Sequence, residues 1–170
     1  MKTNQQFSFP KNLMELSQFE KIEWQDQYSE SFHANVPFLY ETAFQHGMDV
    51  LKPWEIPDQT IPSVINEWGK IKEELTVKFS NRDHAVGELM RKGIALFYEV
   101  LYWGNDQPVV LENGMDVNLA IKPINSGERL KFILSRMNNY HSYVQLTELF
   151  IEMEKLFWKH QVIMKKASKH

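Results

Sequence analysis

The chain has 170 residues, of which 43% are hydrophobic, 13% aromatic and 24% charged, which fits one ordinary globular domain and excludes a disordered tail. Its formal charge is only −3 and it has no cysteine, which disfavours bulk capture of a polyanion and excludes a disulfide framework, a thiol nucleophile, a zinc ribbon and an iron–sulfur cluster. No run approaches the roughly 18 apolar residues of a membrane span, and Met1 to Pro10 lacks the apolar core of a signal peptide, so the expected setting is a reducing cytoplasm.

Leu13, Leu16, Phe19 and Ile22 recur at three-residue steps, and this spacing predicts a helix from about Asn12 to Trp24. The stretch from Gln25 to Asn35 is polar and aperiodic. Pro37 then precedes Phe38, Leu39, Phe44, Met48 and Leu51, a short helix that Gly47 should weaken or bend. Pro53, Pro57 and Pro62 each remove a backbone donor, so the run between them reads as a connector, held to the body by Trp54, Ile56 and Ile61. Val64, Ile65, Trp68, Ile71, Leu75 and Phe79 mark the next helix. A further helix follows from His84 to about Trp103 with Asp83 as its cap, and Gly87 and Gly93 in it suggest close approach by another helix.

Residues 104–126 lack helical periodicity. Asn113-Gly114 between two apolar runs suits a type I′ turn, hence a small β-hairpin. Asn125 and Glu128 have capping-box spacing for a helix starting near Ser126 and carrying Leu130, Phe132, Ile133, Leu134 and Met137. The last helix, Tyr140 to Lys166, carries a heptad seam of Tyr143, Leu146, Phe150, Met153, Phe157, His160 and Met164. The expected architecture is therefore mainly α: five or six helices in one bundle-like domain over residues 1–170, arranged around the C-terminal helix. The hairpin precedes the last two helices, and the ends, residues 1–10 and 167–170, are mobile.

Three constellations invite chemistry. His141, Gln145, Glu148 and Glu152 form a polar stripe at helical spacing, yet no Glu-x-x-His pair of a carboxylate-bridged di-metal bundle occurs in the chain, so a solvated face is the leading reading. His84 and Glu88 share a helix face at i, i+4. With His141 and Glu148 they are weak candidates for a metal-dependent hydrolase, but two ligands on one helix are too few. Asn125, Ser126, Gly127 and Arg129 open a helix, with Tyr140 and His141 one short helix later, an arrangement that can hold an anion but lacks a phosphate-loop pattern. No nucleophile elbow, Ser-x-x-Lys pair or dinucleotide turn is present, so no enzyme reading leads and no cofactor is expected.

Charge is uneven along the chain. Residues 1–154 hold all 22 acidic and 14 basic side chains, a net −8, whereas residues 155–170 carry Lys155, Lys159, Lys165, Lys166 and Lys169, a net +5. Lysines near a helix C-terminus suit its dipole, and a basic tail can also meet an acidic partner, nucleic acid or anionic lipid. Tyr and Trp at connectors and helix ends, among them Trp54, Trp103, Tyr98, Tyr102, Tyr140 and Tyr143, either close the core or anchor a partner.

Several runs resemble the YpoC-like proteins of Bacillus and related bacteria: Val36-Pro37-Phe38-Leu39-Tyr40-Glu41, Pro53-Trp54, Leu101-Tyr102-Trp103-Gly104-Asn105, Lys122-Pro123-Ile124-Asn125 with Glu128-Arg129-Leu130, and Tyr140-His141-Ser142-Tyr143 with Gln145-Leu146. They extend from Val36 to about Phe150. The resemblance implies a cytoplasmic bacterial protein without assigned catalytic residues, and it directs attention to the long loop and the start of the last helix. The leading expectation is a non-enzymatic interaction or adaptor module whose protein partner, or an anion, meets Trp103, Asn105, Asn125, Arg129, Tyr140 and His141. The alternatives are the metal-dependent hydrolase and nucleic-acid association through the Lys155 to Lys169 tail, and a homodimer stays open.

Overall fold

The computed structural model describes residues 6–8, 21–111 and 119–169. Two short strands, β1 (Gln6–Ser8) and β2 (Lys21–Glu23), pair antiparallel with Phe7 opposite Ile22. Six α-helices follow: α1 (Gln27–Glu30), α2 (Leu39–Gln45), α3 (Pro57–Ser80), α4 (Gly87–Trp103), α5 (Ser126–Ser135) and α6 (Tyr140–Ser168). A 3-10 turn, Pro53–Glu55, precedes α3. The fold is mainly helical and bundle-like, as expected, and its buried apolar side chains form one contiguous cluster.

The organising helix is α4, not the C-terminal helix. From Gly93 to Trp103 every α4 residue is buried, and a helix that is apolar all round has to be surrounded. Helices α3 and α6 pack on it, and α5 packs on α6. At the α3–α4 crossing a Cβ on Gly93 would stand 2.6 Å from Trp68 Cζ3, so only glycine admits the indole there. The Trp68 ring in turn stacks on Phe150 of α6 at 4.5 Å, with the planes 6° apart, tying three helices together at one point.

Local chemistry explains the departures from expectation. The helix expected over Asn12 to Trp24 falls in part on residues 12–20, outside the described residues, and in part on β2, where exposed Lys21 and Glu23 flank buried Ile22 in the two-residue alternation of a strand. Helix α2 stops at Gln45 rather than bending at Gly47. Gly47 has φ 78° and donates to the Phe44 carbonyl, while Met48 N–H reaches the Ala43 carbonyl, the paired bonds of a Schellman end. The proline connector is itself helical from Pro57, which occupies the first turn where its missing N–H costs nothing, and Pro62 follows on the exposed side. Trp54 and Ile61 are buried, as their apolar character required.

Asp83 does not cap α4, which starts at Gly87. Its carboxylate accepts from Ala85 N–H and pairs with Lys78, holding the intervening turn. Asn125 precedes α5 as expected but in the left-handed region, φ 56°, without a side-chain cap, so the capping box with Glu128 does not form. Asparagine suits that conformation because its short polar side chain tolerates positive φ. The Asn113-Gly114 turn lies outside the described residues, and 107–111 and 119–121 carry no strand. Of the ends expected to be mobile, 6–8 form β1, and 167 and 168 lie in the last turn of α6.

Candidate functional site

The residues singled out from sequence separate into those the fold consumes and those it presents. Trp103 is fully buried at the end of α4, and its indole Nε1–H donates to Glu41 Oε2 at 2.8 Å. Asn105 acts as a backbone clamp. Its Nδ2 donates to the carbonyls of Leu101 and Ile121, both at 2.7 Å, and its Oδ1 accepts from Ile121 N–H at 2.8 Å. One side chain thus holds the chain returning from the long loop against the end of α4.

Arg129 is equally engaged. Its two terminal nitrogens grip the Glu152 carboxylate at 2.9 Å each, Nε donates to Gln145 Oε1 at 3.1 Å, and one arm also reaches the Ile124 carbonyl. Glu148 stands 3.8 Å from the same guanidinium. The stripe Gln145–Glu148–Glu152 is therefore the seat on α6 for an arginine from α5, a bidentate geometry that fixes the helix pair's register. Its fourth member, His141, lies apart. The His141 ring is exposed and its backbone N–H donates to Asn139 Oδ1, the cap of α6. Asn125 and Tyr140 are exposed as well, Tyr140 with its ring against Phe79.

His84 and Glu88 are exposed beside the start of α4, and Glu148 faces Arg129. Among the described residues no three His, Asp or Glu side chains stand together in a group that could hold a metal ion, so His84, Glu88, His141 and Glu148 are not assembled into a centre. His84 lies in the turn ahead of α4 and His141 in the first turn of α6, and both are exposed.

Sequence reasoning passed over two acids that the fold buries. Glu41 of α2 and Glu99 of α4 are 1% and 2% exposed, and among the described residues the Oε1 atom of each has no partner. Burial pushes the Glu41 carboxyl up to about 7, against the hydrogen bonds from Trp103 and from Val109 N–H at 3.1 Å. Burial, then the neighbouring Glu41, hold the Glu99 carboxyl well above its ordinary range, with Lys92 opposing. A lone acid inside an apolar run, as in Phe-Leu-Tyr-Glu-Thr-Ala-Phe and Leu-Phe-Tyr-Glu-Val-Leu-Tyr-Trp, is the signal that marks both. Sealed from solvent, they can store a proton but cannot meet a solute.

The α6 carboxyl end is the reverse case. Its apolar seam is buried from Tyr143 through Phe157 and then leaves the body. Val162, Ile163 and Met164 are 53%, 52% and 53% exposed, and residues about 100° apart on a helix cannot all be open unless that segment stands clear on several sides. Trp158 and Ile151 are exposed too, and with Val162 they follow i, i+7, i+11 on the side turned away from the seam. Lys155, Lys159, Lys165 and Lys166 surround them.

Residues 58–165 match the family model of the YpoC-like proteins, from the start of α3 almost to the end of α6. The chain belongs to the YpoC-like family. Among its relatives is the uncharacterised protein YpoC of Bacillus subtilis (strain 168), 33% identical over 115 residues that span 65% of this chain and 70% of the relative. No solved structure matches. The matched segment contains α3 to α6, and with them α4 and the helices that pack on it. No described helix of this YpoC-like chain is long and apolar enough to cross a membrane.

Proposed function

We propose that this YpoC-like chain is a non-catalytic interaction module whose partner surface is the carboxyl end of α6, and that the partner is an acidic protein surface. The observation that supports the reading is the apolar group Trp158, Val162, Ile163 and Met164, solvent-exposed on a helix segment whose charged residues are all lysines. Contiguous apolar surface rimmed by one sign of charge is the usual form of an interface with an oppositely charged partner: the centre contributes burial, and the rim steers encounter. Half of the surface first expected is engaged inside the fold, since Trp103, Asn105 and Arg129 make internal bonds. Tyr140, His141 and Asn125 are left as exposed residues of that group.

The test uses the full chain and its Trp158→Ala/Val162→Ala variant as baits in a native lysate treated with nuclease, followed by reconstitution with the identified, purified partner. The expected result is an acidic protein held by the parent and lost by the variant, with affinity falling as salt rises. Equal capture by both baits overturns the reading. So does binding that disappears with nuclease, which points to nucleic acid, or self-association as the sole complex formed.

A further inference from the structure

A concavity of about 650 Å³ is lined by Gly87 and Arg91 of α4 and by the α5–α6 corner, Leu134 through Asn139. Its lining holds two arginines, Arg91 and Arg136, and no carboxylate. Arg91 is partly buried, and among the described residues its solvent-sealed Nε–H has no acceptor and neither arginine makes an ion pair. By contrast, the partly buried Arg129 of α5 fills its donors with Glu152, Gln145 and the Ile124 carbonyl. A partly buried guanidinium is ordinarily paired, and two cations on one wall share it more comfortably when an anion stands between them.

The wall itself is held firmly. A Cβ on Gly87 would stand 3.1 Å from Asn138 Oδ1, so the corner closes directly against the first turn of α4. Arg136 lies with its guanidinium carbon 5.5 Å from the centre of the Phe132 ring, which orients the planar group. Asn138 and Asn139 add amide groups, and Leu134 and Met137 add apolar surface that an inorganic ion alone would not use.

We infer that this concavity is a binding site for the phosphate group of a small phosphorylated molecule, gripped by Arg91 and Arg136. Two planar forks match the several oxygens and double charge of a phosphate better than a single carboxylate. The volume leaves room for an organic moiety against Leu134 and Met137. The site lies on α4 and the α5–α6 corner, whereas the proposed partner surface lies on the last turns of α6, so either can fail without the other.

The test is a titration of the isotope-labelled full chain with inorganic phosphate and with pyrophosphate at constant ionic strength, reading the Arg91 Nε–Hε resonance by NMR. The expected result is a saturable shift, tighter for pyrophosphate, with the dissociation constant raised about tenfold or more by Arg91→Gln or by Arg136→Gln. Arg136 is exposed, so its variant keeps the test meaningful should Arg91→Gln compromise folding. A shift that chloride reproduces, a shift that never saturates, or unchanged affinity in the Arg136→Gln chain overturns the assignment.

Discussion

Replacing Glu41 by Gln removes a charge that the fold resists while keeping an oxygen for its two donors, Trp103 Nε1–H and Val109 N–H. In the folded chain the Glu41 carboxyl is raised from its ordinary 4.5 to about 7, with burial as the main cause. A carboxyl raised in this way gives stability that is complete below its unfolded value and is lost as the pH climbs through the folded one. At about 1.4 kcal/mol per tenfold in proton affinity, the full loss is about 3 kcal/mol, most of which falls between pH 5 and pH 8. The Gln variant carries a separate cost, because its amide N–H₂ occupies the place of the unpartnered Oε1, about 1–3 kcal/mol at every pH. The diagnostic is therefore the trend: variant stability minus parent stability should rise by about 2–3 kcal/mol from pH 5 to pH 8. Urea unfolding followed by tryptophan fluorescence at four pH values measures it, and titrating groups that do not sense Glu41 cancel in the difference, whereas Glu99, relieved of its neighbour's charge, adds to the same trend. A difference that stays flat across this range, or falls, refutes the claim that Glu41 takes up a proton on folding. Glu99 adds a loss of the same sign to both chains, so the Glu41→Gln/Glu99→Gln double variant should have the flattest profile.

Two further substitutions probe the packing. Gly93→Ala places a Cβ 2.6 Å from Trp68 Cζ3, against a ring already fixed by Phe150, and should lower stability by about 1–3 kcal/mol. Gly69→Ala, on α3 with open space around the new Cβ, should instead gain about 0.5–1 kcal/mol, and calorimetry showing equal shifts for the two would contradict the close-approach account. Asn105→Ala strips both backbone partners from Ile121 and should cost about 1–3 kcal/mol, with faster hydrogen exchange at the Ile121 amide than anywhere in α3; unchanged exchange there would refute the clamp.

The parts of the fold legible in the sequence are those where a long apolar period decides the outcome alone. The seam from Tyr143 to Phe157 and the stripe Val64, Trp68, Ile71 and Leu75 face the core as their spacing requires, and Gly93 marks a close helix approach. Periodicity misleads where another rule governs. Three-residue stepping up to Ile22 competes with the two-residue alternation of Lys21, Ile22 and Glu23, and the strand prevails because β1 is there to pair with it. Of the prolines read as a connector, Pro57 is harmless at the first position of α3, and Pro62 stands inside the helix on its exposed side, where the surrounding packing carries its missing hydrogen bond. The site residues were less legible for a reason specific to polar side chains: whether Arg129 or Asn105 faces outward depends on acceptors 16 or 23 positions away, which no local pattern encodes. The two buried acids were visible in principle, because a single charge in the middle of an apolar run has no outward face to occupy.

The contrast between Arg129 and Arg91 carries the furthest consequence. Both are partly buried arginines in the segment that matches the YpoC-like family, and both belong to the packing of α5 and α6 against their neighbours. One has its fork filled by a carboxylate placed at i+7 from Gln145 on the facing helix. The other shares a carboxylate-free hollow with a second arginine. If Arg91 served only to hold α4 against the α5–α6 corner, an internal acceptor would serve better, as it does for Arg129, because an unmatched buried N–H opposes folding by about 1–3 kcal/mol. Arg91 instead shares a carboxylate-free wall with a second arginine, which is the arrangement expected where an acceptor for the open ends of the guanidinium groups arrives from outside the chain. The acid pair, by comparison, draws Glu41 from α2, outside residues 58–165, and is closed to solvent. Of the two unusual charge clusters in this fold, the arginine hollow is therefore the one built wholly within the family segment and open to a ligand.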